Sequence, residues 1–315
     1  MRKILVVLGV LATLAATSRA QTRTSSFVFQ NNFWLNLHQF VRGEAYRRSV
    51  KATPGLDPTS LSDGDRATWM AAVDAYADLA KRDVLFDGTL RDLQDTLAKV
   101  RDVTQLPEGL LDASTTRTLN AAAPIYRARV WPARHRGNDE WIARAKALLD
   151  RHEAAMIARV TAVYHVSWPG DPFLVDAVGE IGPNSAVTYS GIAGFSAHIQ
   201  AGAASPRDTA DAPLELIFHE AMHAYALGAR VTSMIQEECS RQSLESPPDL
   251  WHYMIMFTAG ALAQRELANG YKTYGERYPG MPPSVRAAFQ HDWEPYLDGK
   301  VPLERALHDL VRDAR

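Results

Sequence analysis

The chain has a single cysteine, Cys239, among its 315 residues. No intramolecular disulfide can brace it, and a chain of this size does not need one, because disulfides matter most in small domains. No spacing marks Cys239 as a metal ligand, so a buried, inert thiol is expected. The apolar run from Ile4 to Ala16 falls short of the roughly 20 residues that span a bilayer. There is no basic block, no internal repeat and no long low-complexity linker. Nucleic acid is therefore a poor partner, and the apolar run is too short and too weakly flanked to span a bilayer stably, with an uncleaved membrane anchor as the alternative to a cleaved signal.

The first twenty residues read as a signal peptide. Arg2 and Lys3 precede the apolar run, and Ser18-Arg19-Ala20 supplies small residues at the cleavage position. The whole chain has 34 Lys+Arg and 36 Asp+Glu; removing Arg2, Lys3 and Arg19 leaves 31 against 36, a net charge of −5. The expected product is a mildly acidic, exported protein, periplasmic or extracellular, with no stable membrane span after cleavage. No oligomerisation signal is visible.

Residues 21–165 read as a helical region. Helices are expected at Asn31–Arg47, Ala67–Lys81, Leu90–Val100, Thr115–Arg127 and, opened by Asn138 as N-cap, Asp139–Val163. The texture changes at Pro169-Gly170. Phe173–Val178, Ala186–Tyr189 and Ala197–Gln200 are short β-prone runs, and no other segment reads as strand. Residues 166–315 then hold these strands, a histidine-bearing helix and further helices. The fold class expected is predominantly helical α+β, with a small mixed or antiparallel sheet beside that helix.

The histidine-bearing helix is predicted to start at Asp211 and Pro213 and to stop at Gly228. Leu214, Ile217, Phe218, Ala221, Met222 and Tyr225 form an apolar stripe at helical spacing. Beside it lies the pentad His219-Glu220-Ala221-Met222-His223. Two histidines four apart project from one face, near enough to share a cation. Glu220 is turned about 100° away, placed to act on a water as general base without binding the metal. This is the H-E-x-x-H arrangement of zinc hydrolases. Chance alone supplies it in about one chain in a hundred of this length, so the amphipathic helix and the strands upstream add weight to it.

A catalytic zinc needs a third protein ligand. The continuation H-x-x-G-x-x-H fails, because Ala226 stands where a glycine is expected and no histidine follows. His252 is the first choice. It lies near the start of an almost wholly apolar helix, predicted to begin at Ser246-Pro247-Pro248-Asp249 with Ser246 as cap and to end near Leu267. Glu237, Glu238 and Glu245 are the alternatives, since zinc also accepts carboxylates. Tyr271 and Tyr274 are candidates for stabilising an oxyanion, with surface or packing roles as the alternative. His198 is read as a strand-edge histidine satisfied locally, and His38 and His291 as hydrogen-bonded core residues.

The stretch Leu216-Ile217-Phe218-His219-Glu220 through His223 resembles the active-site helix of the gluzincin-like, or peptidase MA-like, zincins. That resemblance implies zinc on His219 and His223, Glu220 as base, and zinc at the interface of two lobes. It also implies a sheet whose edge strand receives extended substrate, here within Ala186–Gln200. The chain departs from the gluzincin pattern in lacking a Trp-x-x-Glu-Gly-type helix; the nearest counterpart, Phe257-Thr258-Ala259-Gly260, has no glutamate. Asn32-Phe33-Trp34-Leu35-Asn36-Leu37-His38, Asp249-Leu250-Trp251-His252 and Trp293-Glu294-Pro295-Tyr296-Leu297-Asp298-Gly299 are similar to landmarks of exported bacterial proteins of unassigned function. The expected function is an exported zinc peptidase acting on peptide or protein substrates. The alternatives are a zinc-containing, non-catalytic binding protein of the cell envelope and a helical scaffold with an accidental pentad.

Overall fold

The computed structural model describes residues 25–83, 87–181, 186–189, 191–204, 209–268, 270–277 and 280–314. The segment read as a signal peptide lies outside them. The order is β1 (Phe27–Gln30), α1 (Phe33–Ser49), α2 (Asp63–Ala75), α3 (Gly88–Ala98), α4 (Ala113–Arg129), α5 (Trp131–Tyr164), β2 (Phe173–Val178), β3 (Ala186–Tyr189), β4 (Ala197–Gly202), α6 (Ala212–Met222), α7 (Tyr225–Arg241) and α8 (Leu250–Leu267). Short helices α9 (Tyr274–Arg277) and α10 (Pro283–Ala288) lead into a π-turn at Phe289–Trp293, then α11 (Glu294–Leu297) and α12 (Leu303–Asp313). The fold is α+β, mostly helical with one small mixed sheet. Among the described residues no helix is long and apolar enough to cross a membrane.

The sheet order is β1-β2-β4-β3, with β1, β2 and β4 parallel and β3 antiparallel to β4. Strand β1 is a correction to the sequence reading, which found no strand before residue 173. Only four residues long, Phe27–Gln30 carries too little alternation to read as strand without its partner. It makes the N-terminal segment part of the same sheet that supports the histidine helix.

Both faces of the sheet are covered, so β2 and β4 are buried throughout. Phe173, Val175, Ala177, Ala197, Ile199 and Ala201 face a core shared with α5, α6, α7 and α8. Leu174, Val178, Val187 and Tyr189 face a second core built by α1 to α4. The face toward α1 to α4 also holds Asp176, His198 and Gln200, all buried. His198 is thus not on an edge strand, as expected, but on an inner one. Its Nδ1 lies 2.7 Å from Asp95 of α3 and its Nε2 2.8 Å from Asp176. Burial alone would lower its pKa. The hydrogen bonds and charges of Asp176 and Asp95 override that and raise it to about 9.

Two helix starts differ from expectation for traceable reasons. Helix α5 begins at Trp131, with Pro132 in its first turn, and Asn138 lies inside it. Buried Asn138 donates to Asn31, Asn36 and the Ala177 carbonyl, tying α5 to the sheet. A residue that looks like a cap is here a polar tie between layers. Helix α8 is capped at Asp249, not Ser246, because Leu250 N–H donates to the Pro247 carbonyl and closes a turn first.

Candidate metal centre

Helix α6 is pinned to the sheet by Phe218, whose ring packs edge-on to Phe27 at 5.6 Å and against Trp168 at 5.7 Å. From that anchored helix Glu220 reaches Thr188 of β3, and His219 faces His252 of α8. The helix ends sooner than its hydrophobic pattern suggests. His223 and Ala224 donate to the carbonyls of Glu220 and Ala221, a tightened last turn, and Ala224 is extended. The predicted stop, Gly228, lies instead in the first turn of α7. A side chain there would come within 3.2 Å of the His223 carbonyl, which accounts for the glycine. His223 is therefore the C-cap of one helix, beside the start of another.

Helices α6 and α8 run antiparallel: Glu215 of α6 lies against Gly260 of α8, and His223 of α6 against His252 of α8. This crossing brings the three histidines together. His219 Nε2 and His223 Nε2 are 3.1 Å apart. The His252 ring lies 5.3 Å from the His219 ring and 5.2 Å from the His223 ring, centroid to centroid. One ring nitrogen from each of the three falls within 4.8 Å of the others. Two nitrogens bound to one tetrahedral zinc at about 2.0–2.1 Å stand about 3.4 Å apart, close to the separation of the first pair. The His252 imidazole makes no hydrogen bond among the described residues; its neighbours are the other two imidazoles, Trp251 and Tyr253.

Burial, and then the mutual repulsion of the rings, holds His219 well below the usual imidazole range and His223 at about 3. His252 is lowered too, mainly by burial. Three imidazoles held neutral, with one ring nitrogen of each brought close together, are in the protonation state that a divalent cation requires. The residues present therefore fit zinc.

Glu220 is 5% exposed. Its Oε2 lies 2.6 Å from the Thr188 hydroxyl, and its Oε1 3.9 Å from His219 Nε2. Burial raises its pKa to about 7, with the Thr188 hydrogen bond acting the other way. Thr188 is a site residue that sequence reasoning missed. Val187 and Tyr189 of β3 face the other core, so alternation along the strand points Thr188 at α6. That pattern gave the face, but not which residue of α6 it would meet.

The carboxylate alternatives lie elsewhere. Glu237 and Glu245 are exposed. Buried Glu238 accepts hydrogen bonds from Gln242 and His308 and pairs with Arg241, fastening α7 to α12. None of the three joins the histidine group.

Tyr271 and Tyr274 are engaged one turn before His219. The Tyr271 hydroxyl donates to Glu215 Oε2 at 2.7 Å and accepts from Arg277, and the Tyr274 N–H also donates to Glu215. Burial pushes Glu215 up to about 7; Tyr271, Tyr274 and Arg277 oppose that shift. Together these contacts fasten the chain after α8 to the histidine-bearing helix α6. His38 is a core residue as expected, beside Tyr76 and Gln94. His291 is not: its side chain is exposed. Cys239 is buried.

Comparison with known proteins gives no match: no family model fits the chain, and no curated protein or solved structure is significantly similar to it.

Proposed function

We propose that the protein is an exported zinc-dependent hydrolase of the zincin type, acting on peptide bonds, with His219, His223 and His252 as ligands and Glu220 as general base. The observation that carries this reading is the convergence of His252, from a separate helix, on the pair His219 and His223, with a buried carboxylate next to them. A metal-only site has no use for that carboxylate, which favours a hydrolase over a binding protein.

Zinc, when bound, supplies Lewis acidity toward a carbonyl group and toward water. The chain's own residues do the rest. Thr188 holds Oε2 of Glu220 and leaves Oε1 for proton exchange. Oε1 takes one proton from the attacking water, whose hydroxyl adds to the acyl carbon. As the carbon–nitrogen bond breaks, Glu220 returns that proton to the leaving nitrogen. A carboxylate whose pKa lies near neutrality suits both transfers. Trp251, edge-on to the His223 ring at 5.4 Å, restrains that imidazole. Export is part of the proposal and rests on residues 1–20 of the sequence.

The test pairs elemental mass spectrometry with a peptide-hydrolysis screen on the purified protein. About one tightly held zinc per chain, with hydrolysis abolished by chelation and restored by zinc, is the expected result. Absence of zinc after reconstitution rules the reading out.

A further inference from the structure

A second group of donor side chains lies on the C-terminal helices, on segments that carry none of the three clustered histidines. The π-turn Phe289–Trp293 presents His291 and Asp292, and α12 ends at Asp313. One donor atom from each of these three residues lies within 4.8 Å of the other two.

Asp292 is the unusual member. It is 5% exposed, its Oδ1 lies 2.6 Å from His291 Nδ1, and its Oδ2 has no hydrogen-bond partner among the described residues. A buried carboxylate oxygen without a donor has lost its water and gained nothing in return. Asp292 thus keeps one buried oxygen without a donor, while the other is paired with His291. Arg312 does not supply that donor: its guanidinium grips Asp313 at 2.7 and 3.1 Å and Asp309 at 3.1 Å. Arg305 also faces Asp309, at 3.6 Å. Each Asp313 oxygen keeps a further lone pair beyond its bond to Arg312.

We propose that His291, Asp292 and Asp313 form a second divalent-metal site, distinct from the histidine triad, that clips the end of α12 to the π-turn. The donor set specifies the ion. One imidazole with two carboxylates suits zinc and its first-row neighbours, whereas calcium and magnesium take oxygen ligands throughout. Exposure of His291 leaves room for water in the remaining positions, so this site binds more weakly than the triad. Its role is structural. Helix α12 already reaches α7 through His308, at its middle, and Glu238, and a clip at its C-terminal end adds a second tie, to the π-turn.

Zinc titration of the full chain, read by metal content and by Tm, tests this. Wild type is expected to take up a second, weaker equivalent of zinc. His291→Ala, a surface change that leaves the fold intact, loses that equivalent and keeps the tight one. His219→Ala/His223→Ala shows the converse. In that background, zinc at about a hundred times its Kd raises Tm by roughly 5 °C, and adding His291→Ala removes the rise. Equal zinc uptake by wild type and His291→Ala overturns the proposal. So does a response to calcium as large as that to zinc. Because the tight equivalent is counted separately, failure here leaves the triad reading untouched.

Discussion

The ring of His252 stands 5.2 Å from the ring of His223, although the two residues belong to antiparallel helices joined through α7. Any ion held between them bridges α6 and α8. Replacing His252 by alanine is expected to weaken zinc binding by more than about a hundredfold, exceeding the effect of losing an outer-shell partner. Competition with a chromophoric chelator measures it. Unchanged affinity would remove His252 from the ligand set.

Glu220→Gln is expected to keep its zinc and to lose activity by about 10²- to 10⁴-fold, the usual contribution of a general base. Thr188→Val deprives the carboxylate of the hydroxyl at 2.6 Å. It should lower kcat/KM by about ten- to a hundredfold, the equivalent of one hydrogen bond to a charged group, while Thr188→Ser restores most of it. Full activity in Glu220→Gln would falsify the assignment of the base.

His198 gives the fold a pH dependence that does not involve the metal. Its folded pKa, about 9, lies above the ordinary value of 6.5, so the folded state binds the proton more tightly. Its contribution is therefore complete below pH 6.5 and is lost as pH rises through about 9. The loss is on the order of 3 kcal/mol. Urea midpoints of wild type should fall between pH 6 and pH 10 more steeply than those of His198→Gln. Parallel curves would show that the clamp between Asp95 and Asp176 carries no such linkage.

Gly260 is where α6, α8 and the segment after α8 meet. A Cβ there would lie 2.9 Å from Thr273 and 3.0 Å from Glu215. Gly260→Ala is expected to destabilise the protein by about 1–3 kcal/mol through overpacking. Because it separates the two helices that carry the histidine triad, it should also weaken zinc binding, although it touches none of the three histidines. Thermal melts and chelator competition on the same preparation report both effects.

Much of the site was legible because it rests on local periodicity. His219 and His223 share a face through helical spacing, and His252 stood out as an imidazole near the start of an apolar helix. Interactions between distant segments left no such trace. Nothing in the FVFQ of β1 announces its pairing with β2, nothing in Thr188 names Glu220 as its partner, and Tyr271 finds Glu215 only through the crossing of α6 and α8. Local chemistry misled in three places. Asn138 resembles a cap but ties two layers, Gly228 resembles a helix stop but permits a close approach to His223, and Ser246 resembles a cap but is pre-empted by a turn at Pro247.

Strand β1 has a consequence for biosynthesis. Gln30 hydrogen-bonds to Asp176, 146 positions downstream, and the whole of β1 pairs with β2. A chain growing from its N-terminus therefore makes β1 long before that strand has a partner. Contacts of such span are slow to form, because loop-closure entropy must be overcome first. The helix bearing His219 and His223 docks on a sheet that includes this early strand, and His252 is synthesised later still. The three imidazoles can therefore come together only when most of the polypeptide has emerged, and a nascent chain lacks the assembled triad until then.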